Sequence, residues 1–195
     1  MTSAMSAKLI LTGFMATGKS VVGPIVARRL GWRFADTDAE IAARAGKSVA
    51  AIFADDGEAR MRALERDAIA AFARDRRRCA QCGSLRPAVI STGGGAIADA
   101  ANYAALHAAG VVICLSARPE VIARRVGRSA ARRPKLVEGG KPLVERITEL
   151  MEQRAGAYAR ADATIDTSDL AIETVVERVI DAYAALGKLR CTPSA

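Results

Sequence analysis

The chain has 195 residues, 51% of them hydrophobic and 26% charged, with a formal net charge of +8. That length suits a single domain with a full core, and the balance is that of a soluble globular protein, which excludes a largely disordered chain. No apolar run approaches the roughly 18 residues of a membrane span, the start MTSAMSAKLI lacks a secretory pattern, and four cysteines are too few for a disulfide scaffold, so a cytoplasmic protein is expected.

Residues 8–12 (KLILT) form a short apolar run ending at Gly13 and predict a buried strand. Residues 18–30 predict a helix with Val21, Val22, Ile25, Val26 and Leu30 on one stripe. Pro24 is placed near its first turn, where proline costs least. A strand around 33–35 follows, then helical stretches at 38–45, 48–56 and 57–77. Residues 88–91 (AVIS) predict a second buried strand, ending at Gly93-Gly94-Gly95. After a helix at 99–109, residues 110–115 (GVVICL) predict a third. A helix at 118–126, an Arg- and Gly-rich stretch at 127–141, a helix at 142–158, a strand at 162–166 and a helix at 171–187 complete the pattern. Alternating strands and helices predict a parallel sheet covered on both faces. The tails, 1–7 and 188–195, are expected to be loose.

Gly13-Phe14-Met15-Ala16-Thr17-Gly18-Lys19-Ser20 matches G-x-x-x-x-G-K-[ST] at every fixed position, between a strand and a helix as the motif requires. Its glycines let backbone N–H groups curl around phosphates, and the helix N-terminus adds positive potential. Lys19 is expected to reach the β- and γ-phosphates and Ser20 to ligate Mg²⁺. Gly13, Ala16, Thr17, Gly18, Lys19, Ser20 and Val21 are the candidate ATP-binding residues of this segment. Asp36-Thr37-Asp38 follows the next strand. On an extended segment, carboxylates at i and i+2 point the same way. One could then serve the Mg²⁺ shell and the other an acceptor hydroxyl. Asp before a helical run also suits an N-cap, and both readings can hold for Asp38.

These motifs combine with Ser48–Phe53, Gly57–Glu65, Gly93-Gly94-Gly95, Arg133-Pro134, and Arg154 with Tyr158 four residues on. The ordered set resembles shikimate kinase over residues 8–185. The resemblance implies a P-loop NTPase-type three-layer α/β sandwich, nucleoside-monophosphate-kinase-like, with a central five-stranded parallel sheet. It implies one kinase domain over 1–195, with its core at about 8–187, a shikimate-binding region at about 38–66 and a mobile lid at about 124–141. The implied reaction moves the γ-phosphoryl of ATP to the 3-hydroxyl of shikimate, with Mg²⁺, in aromatic amino-acid biosynthesis. By resemblance, Arg62 and Arg154 hold the shikimate carboxylate, a task suited to a bidentate guanidinium. Asp38 binds the ring hydroxyls and orients or deprotonates the attacking one. Asp36 is the Mg²⁺-shell carboxylate beside Ser20. Gly93, Gly94 and Gly95 offer backbone N–H groups, and Phe53 forms a wall under the ring. Arg133, in the lid, stabilises the transferring phosphoryl, so Lys19, Asp38 and Arg133 are the catalytic set. Either Arg124 or Arg125 packs near adenine, with Arg125 taken as the nucleotide residue, and 165–172 forms the other side of that site. A monomer is expected, with ATP and shikimate as its partners and neither nucleic acid nor membrane among them.

The chain departs from the family pattern at Met61, Lys135 and Gly156, and in a basic connection at 74–87. Cys79 and Cys82 in that connection form a C-x-x-C, but a tetrahedral zinc site needs four ligands, so they are read as plain loop cysteines. Two rival functions remain. Another small-molecule kinase on this fold, such as a gluconate kinase, would keep the phosphate loop without the Asp38, Arg62 and Gly93-Gly94-Gly95 set. A nucleic-acid-binding protein would explain the charge, but aromatic residues are only 4%, which leaves few stacking platforms. The charge is also local: residues 118–135 carry seven positive charges and one negative, and residues 74–86 carry five and one.

Overall fold

The computed structural model describes residues 8–75, 87–127, 136 and 140–186. Arg133, Lys135, Cys79, Cys82 and the expected tails lie outside them.

Strands β1 (Lys8–Thr12), β2 (Arg33–Asp36), β3 (Ala88–Ser91), β4 (Gly110–Ser116) and β5 (Ala163–Asp166) form one sheet in the order β2-β3-β1-β4-β5. Every pairing is parallel, with Leu11 opposite Ser91 on one side and Ile113 on the other. Central strands of such a sheet are covered on both faces and so run apolar throughout, and all five residues of β1 are buried. Side chains alternate between faces. Leu9, Leu11, Val89, Val111 and Ile113 join one core with Val22 and Val26, from α1 (Lys19–Leu30), and Val175 and Val179, from the last helix (Ile172–Ala185). Ile10, Ile90 and Val112 join the opposite core with Ile69, Ile97 and Leu106. Burying one such side chain contributes roughly 1.5–3 kcal/mol, and an Ile10→Asp change would place an unpaired charge in this core.

Helices α2 (Thr37–Ala45), α3 (Val49–Asp55) and α4 (Gly57–Arg74) follow β2. Their facing stripes meet through Ile41, Ile52, Met61 and Ala68. Met61, a departure from the family pattern, is therefore a core residue. Helices α5 (Ala100–Ala109) and α6 (Pro119–Val126) flank β4, and α6 starts with proline at its first position, where no N–H is needed. The buried Lys8 Nζ donates to the carbonyls of Phe72, Ala73 and Asp75 and so caps the end of α4. The helix ends at Arg74, with Asp75 extended, and residues 76 and 77 of the expected helix lie outside the described residues.

Three expectations are corrected. Pro24 lies inside α1, not in its first turn. Val21 is exposed rather than part of the core stripe. The helix expected over 142–158 is two: α7 (Leu143–Glu152) and the single turn α8 (Ala155–Tyr158). The break comes where the Arg154 amide bonds back only three residues, to Met151 O, a tightening typical of helix ends.

Candidate active site

Parallel α/β sheets open a crevice at the carboxyl ends of their strands, where the order of connection reverses. Here a cleft of ≈ 480 Å³ occupies that position. The loop after β1 supplies Met15 to Gly18, the start of α1 Lys19 and Ser20, the end of β2 Asp36, α2 Asp38, the loop after β3 Thr92 and Gly94, α6 Arg125, and the loop after β5 Thr167.

The phosphate loop is held from within. Lys19 is buried, and its Nζ donates to Gly13 O at 2.7 Å and Phe14 O at 2.8 Å. The Thr17 hydroxyl donates to Phe14 O at 2.8 Å. Ala16 adopts φ 59, a left-handed conformation unusual for a residue with a side chain. Ser20 is exposed to the cleft at the start of α1.

Asp36 and Asp38 both line the cleft, but not through strand alternation. Helix α2 begins at Thr37, one residue earlier than expected, so Asp38 sits in its first turn and Asp36 is the cap. Asp36 Oδ1 accepts the amides of Asp38 and Ala39, at 2.9 and 3.2 Å. Burial, followed by the nearby charges of Asp36 and Glu65, pushes the Asp38 carboxyl up to about 6, against the opposing pull of Lys19 and Arg62.

The Gly93-Gly94-Gly95 loop is the meeting point. A Cβ on Gly93 would stand 2.7 Å from Asp38 Oδ1 and 2.9 Å from Glu65 Oε1. One on Gly95 would stand 2.8 Å from Arg62 Nη1. Only glycine lets these three charged groups approach the loop so closely. Gly94 packs on the phosphate loop, its side-chain position 3.3 Å from Gly13 O and Met15 N. Its carbonyl accepts Arg154 Nη1 at 3.4 Å and the Tyr158 hydroxyl at 2.6 Å. Thr37 Oγ1 accepts the Gly93 amide at 3.0 Å. The Arg62 guanidinium lies 5.8 Å from the Phe53 ring centre and that of Arg154 5.6 Å from Phe14, both within cation–π range.

The expected residues Lys19, Asp38, Arg62, Phe53, Gly93, Gly94, Gly95 and Arg154 thus share one neighbourhood. Of Arg124 and Arg125, both exposed, Arg125 lines the cleft and donates to Thr167 and to Ala16 O. Sequence reasoning assigned no role to Glu65, which is 1% exposed and accepts Arg62 Nη1 at 2.8 Å. Its spacing three residues after Arg62 on a helix was the available signal. Thr37 lies in the Asp36-Thr37-Asp38 motif and Thr167 in the 165–172 stretch, but neither side chain was assigned a role of its own from the sequence.

A family description of shikimate kinase matches residues 15–184. The chain belongs to the shikimate kinase family. It is 41% identical over 180 residues to the shikimate kinase of Thermoanaerobacter pseudethanolicus, spanning 92% of this chain and 98% of that one. Its fold is similar to a shikimate kinase from Acinetobacter baumannii solved in complex with shikimate, with TM-score 0.82, 27% identity and coverage of 96% and 97%. A gluconokinase from Sinorhizobium meliloti shares the fold alone, with TM-score 0.54 at 16% identity. Among the described residues, no helix is long and apolar enough to cross a membrane.

Proposed function

We propose that this enzyme, an ATP-dependent shikimate kinase by family, transfers the γ-phosphoryl of ATP to the 3-hydroxyl of shikimate as a monomer in the cytoplasm. The observation that carries the site assignment is the convergence of Asp38, Arg62 and Arg154 on a glycine loop whose middle residue packs against the phosphate loop. That arrangement supports reading an acceptor site for a hydroxylated carboxylic acid beside a phosphoryl donor site.

Arg62 and Arg154 bind the carboxylate, the first held by Glu65 and stacked near Phe53, the second resting over Phe14. Two oriented guanidinium groups also fix the ring, so that its 3-hydroxyl faces the γ-phosphate. Asp38 takes the proton as that hydroxyl oxygen bonds to phosphorus and the bond to the ADP oxygen breaks. A carboxyl near 6 is ionised at neutral pH yet basic enough to share a proton in the transition state. Lys19 exchanges the carbonyls it now holds for phosphate oxygens and, with the loop amides, stabilises charge on the transferring group. Arg133 adds a further cation there. Arg125, with the loop at 165–172, flanks the adenine.

Mg²⁺ typically keeps several waters and takes one or two protein oxygens besides phosphates. The Ser20 hydroxyl and the Asp36 carboxylate, both hard oxygen donors on the cleft, suit that demand. The ion would supply charge neutralisation at the β- and γ-phosphates.

A coupled assay with ATP, Mg²⁺ and shikimate should give shikimate-dependent ADP release, with gluconate and other acceptor alcohols inert. ADP release that ignores shikimate would refute the assignment.

A further inference from the structure

The loop after β5 holds a threonine that ties three elements together. Thr167 is 3% exposed. Its Oγ1 lies 3.1 Å from Thr17 O and 3.0 Å from Ser116 O, and it accepts Arg125 Nη1 at 2.9 Å. Its carbonyl accepts Arg125 Nη2 at 2.6 Å, and its amide donates to Ser116 O at 2.9 Å. One hydroxyl proton serves the two carbonyls while a lone pair serves the guanidinium. Arg125 Nη1 also reaches Ala16 O at 3.3 Å. Two consecutive carbonyls of the phosphate loop, Ala16 and Thr17, are therefore gripped from the same wall.

In a planar trans peptide the C=O and the following N–H point in opposite directions. Holding these two carbonyls turns the amides of Thr17 and Gly18 away from that wall. With Ala16 in the left-handed region, successive amides of this kind form an anion-binding nest. We propose that Thr167 is a positioning residue for the nucleotide. Its hydroxyl holds the Gly18 amide toward the phosphates directly and, through Arg125, holds the Thr17 amide and sets the adenine-side wall. The proposal rests on reading this half of the cleft as the ATP site.

Thr167→Val keeps the shape and removes the hydroxyl, while Thr167→Ser keeps the hydroxyl. The readouts are the ADP Kd by calorimetry without shikimate, the two KM values and kcat, with folding checked by circular dichroism. Thr167→Val should raise the ADP Kd and the KM for ATP about tenfold and leave the KM for shikimate within about twofold, a loss expected for a charge-assisted hydrogen-bond hub. Thr167→Ser should stay within about twofold of the native enzyme throughout. An unchanged ADP Kd in Thr167→Val, an equal loss in Thr167→Ser, or a matched rise in both KM values would overturn the proposal. Should Thr167→Val fail to fold, Thr167→Ala takes its place in the same comparison. Because the ADP titration needs no acceptor, native enzyme that fails to phosphorylate shikimate would refute the acceptor assignment and leave this comparison standing.

Discussion

Arg62 donates from Nη1 to Glu65 Oε2 at 2.8 Å, and Glu65 is almost wholly buried while Arg62 is partly exposed. The buried Glu65 thus fixes the guanidinium from the protein side. Glu58 holds Nη2 from the exposed side at 3.1 Å. A cation so oriented can meet a carboxylate without first losing side-chain freedom.

Replacing Arg62 should therefore act mainly on acceptor binding. Arg62→Ala should raise the KM for shikimate about 10- to 100-fold, the range of one hydrogen-bonded charge contact, with the KM for ATP little changed. Steady-state kinetics with each substrate varied in turn decides it, and an unchanged KM for shikimate would remove Arg62 from the carboxylate site.

Asp38 predicts opposite effects of one substitution on activity and on stability. Its carboxyl is raised to about 6, first by burial and then by Asp36 and Glu65. Turnover should need the ionised form, so kcat/KM for shikimate should fall about tenfold per pH unit below 6. Stability runs the other way. Between about pH 4 and 6 the folded protein holds a proton that the unfolded chain releases, so stability falls as pH rises through that window, and the loss is complete above it. Asp38→Asn should abolish turnover and raise stability at pH 7.5 by about 1–2 kcal/mol, after allowing for water that reaches the group through the cleft. A melting temperature lower than that of the native enzyme would contradict this.

Ala16 offers a second stability test. Its φ of 59 costs an L-residue about 1–2 kcal/mol, whereas glycine there loses about 0.5–1 kcal/mol through the freedom of the unfolded chain. Ala16→Gly should gain up to about 1 kcal/mol and raise the melting temperature by about 2–4 °C, with the KM for ATP retained. A fall in melting temperature would show that the surrounding hydrogen bonds offset the strain.

Much of this protein can be read along the chain. The five strands and the Gly13–Ser20 loop follow from periodicity and from motif spacing, whereas Asp38, Arg62, the three glycines and Arg154 are picked out by the resemblance to shikimate kinase. The order of strands does not, because it depends on which apolar faces meet across the sheet. Nor does the cap: Asp36 rather than Asp38 accepts the α2 amides because the helix begins one residue early, at Thr37. Glu65 and Thr167 gained their places only in three dimensions. Glu65 and Asp38 meet on the same side of Gly93, where a side chain would sit, and Thr167 bonds Thr17 from 150 residues away. The type of each group is written in the sequence, since chemistry resides in side chains. The raised proton affinity of Asp38 and the bonds from Arg125 to Thr167 and the phosphate loop were decided by packing, because burial and hydrogen-bond partners exist only once distant segments meet.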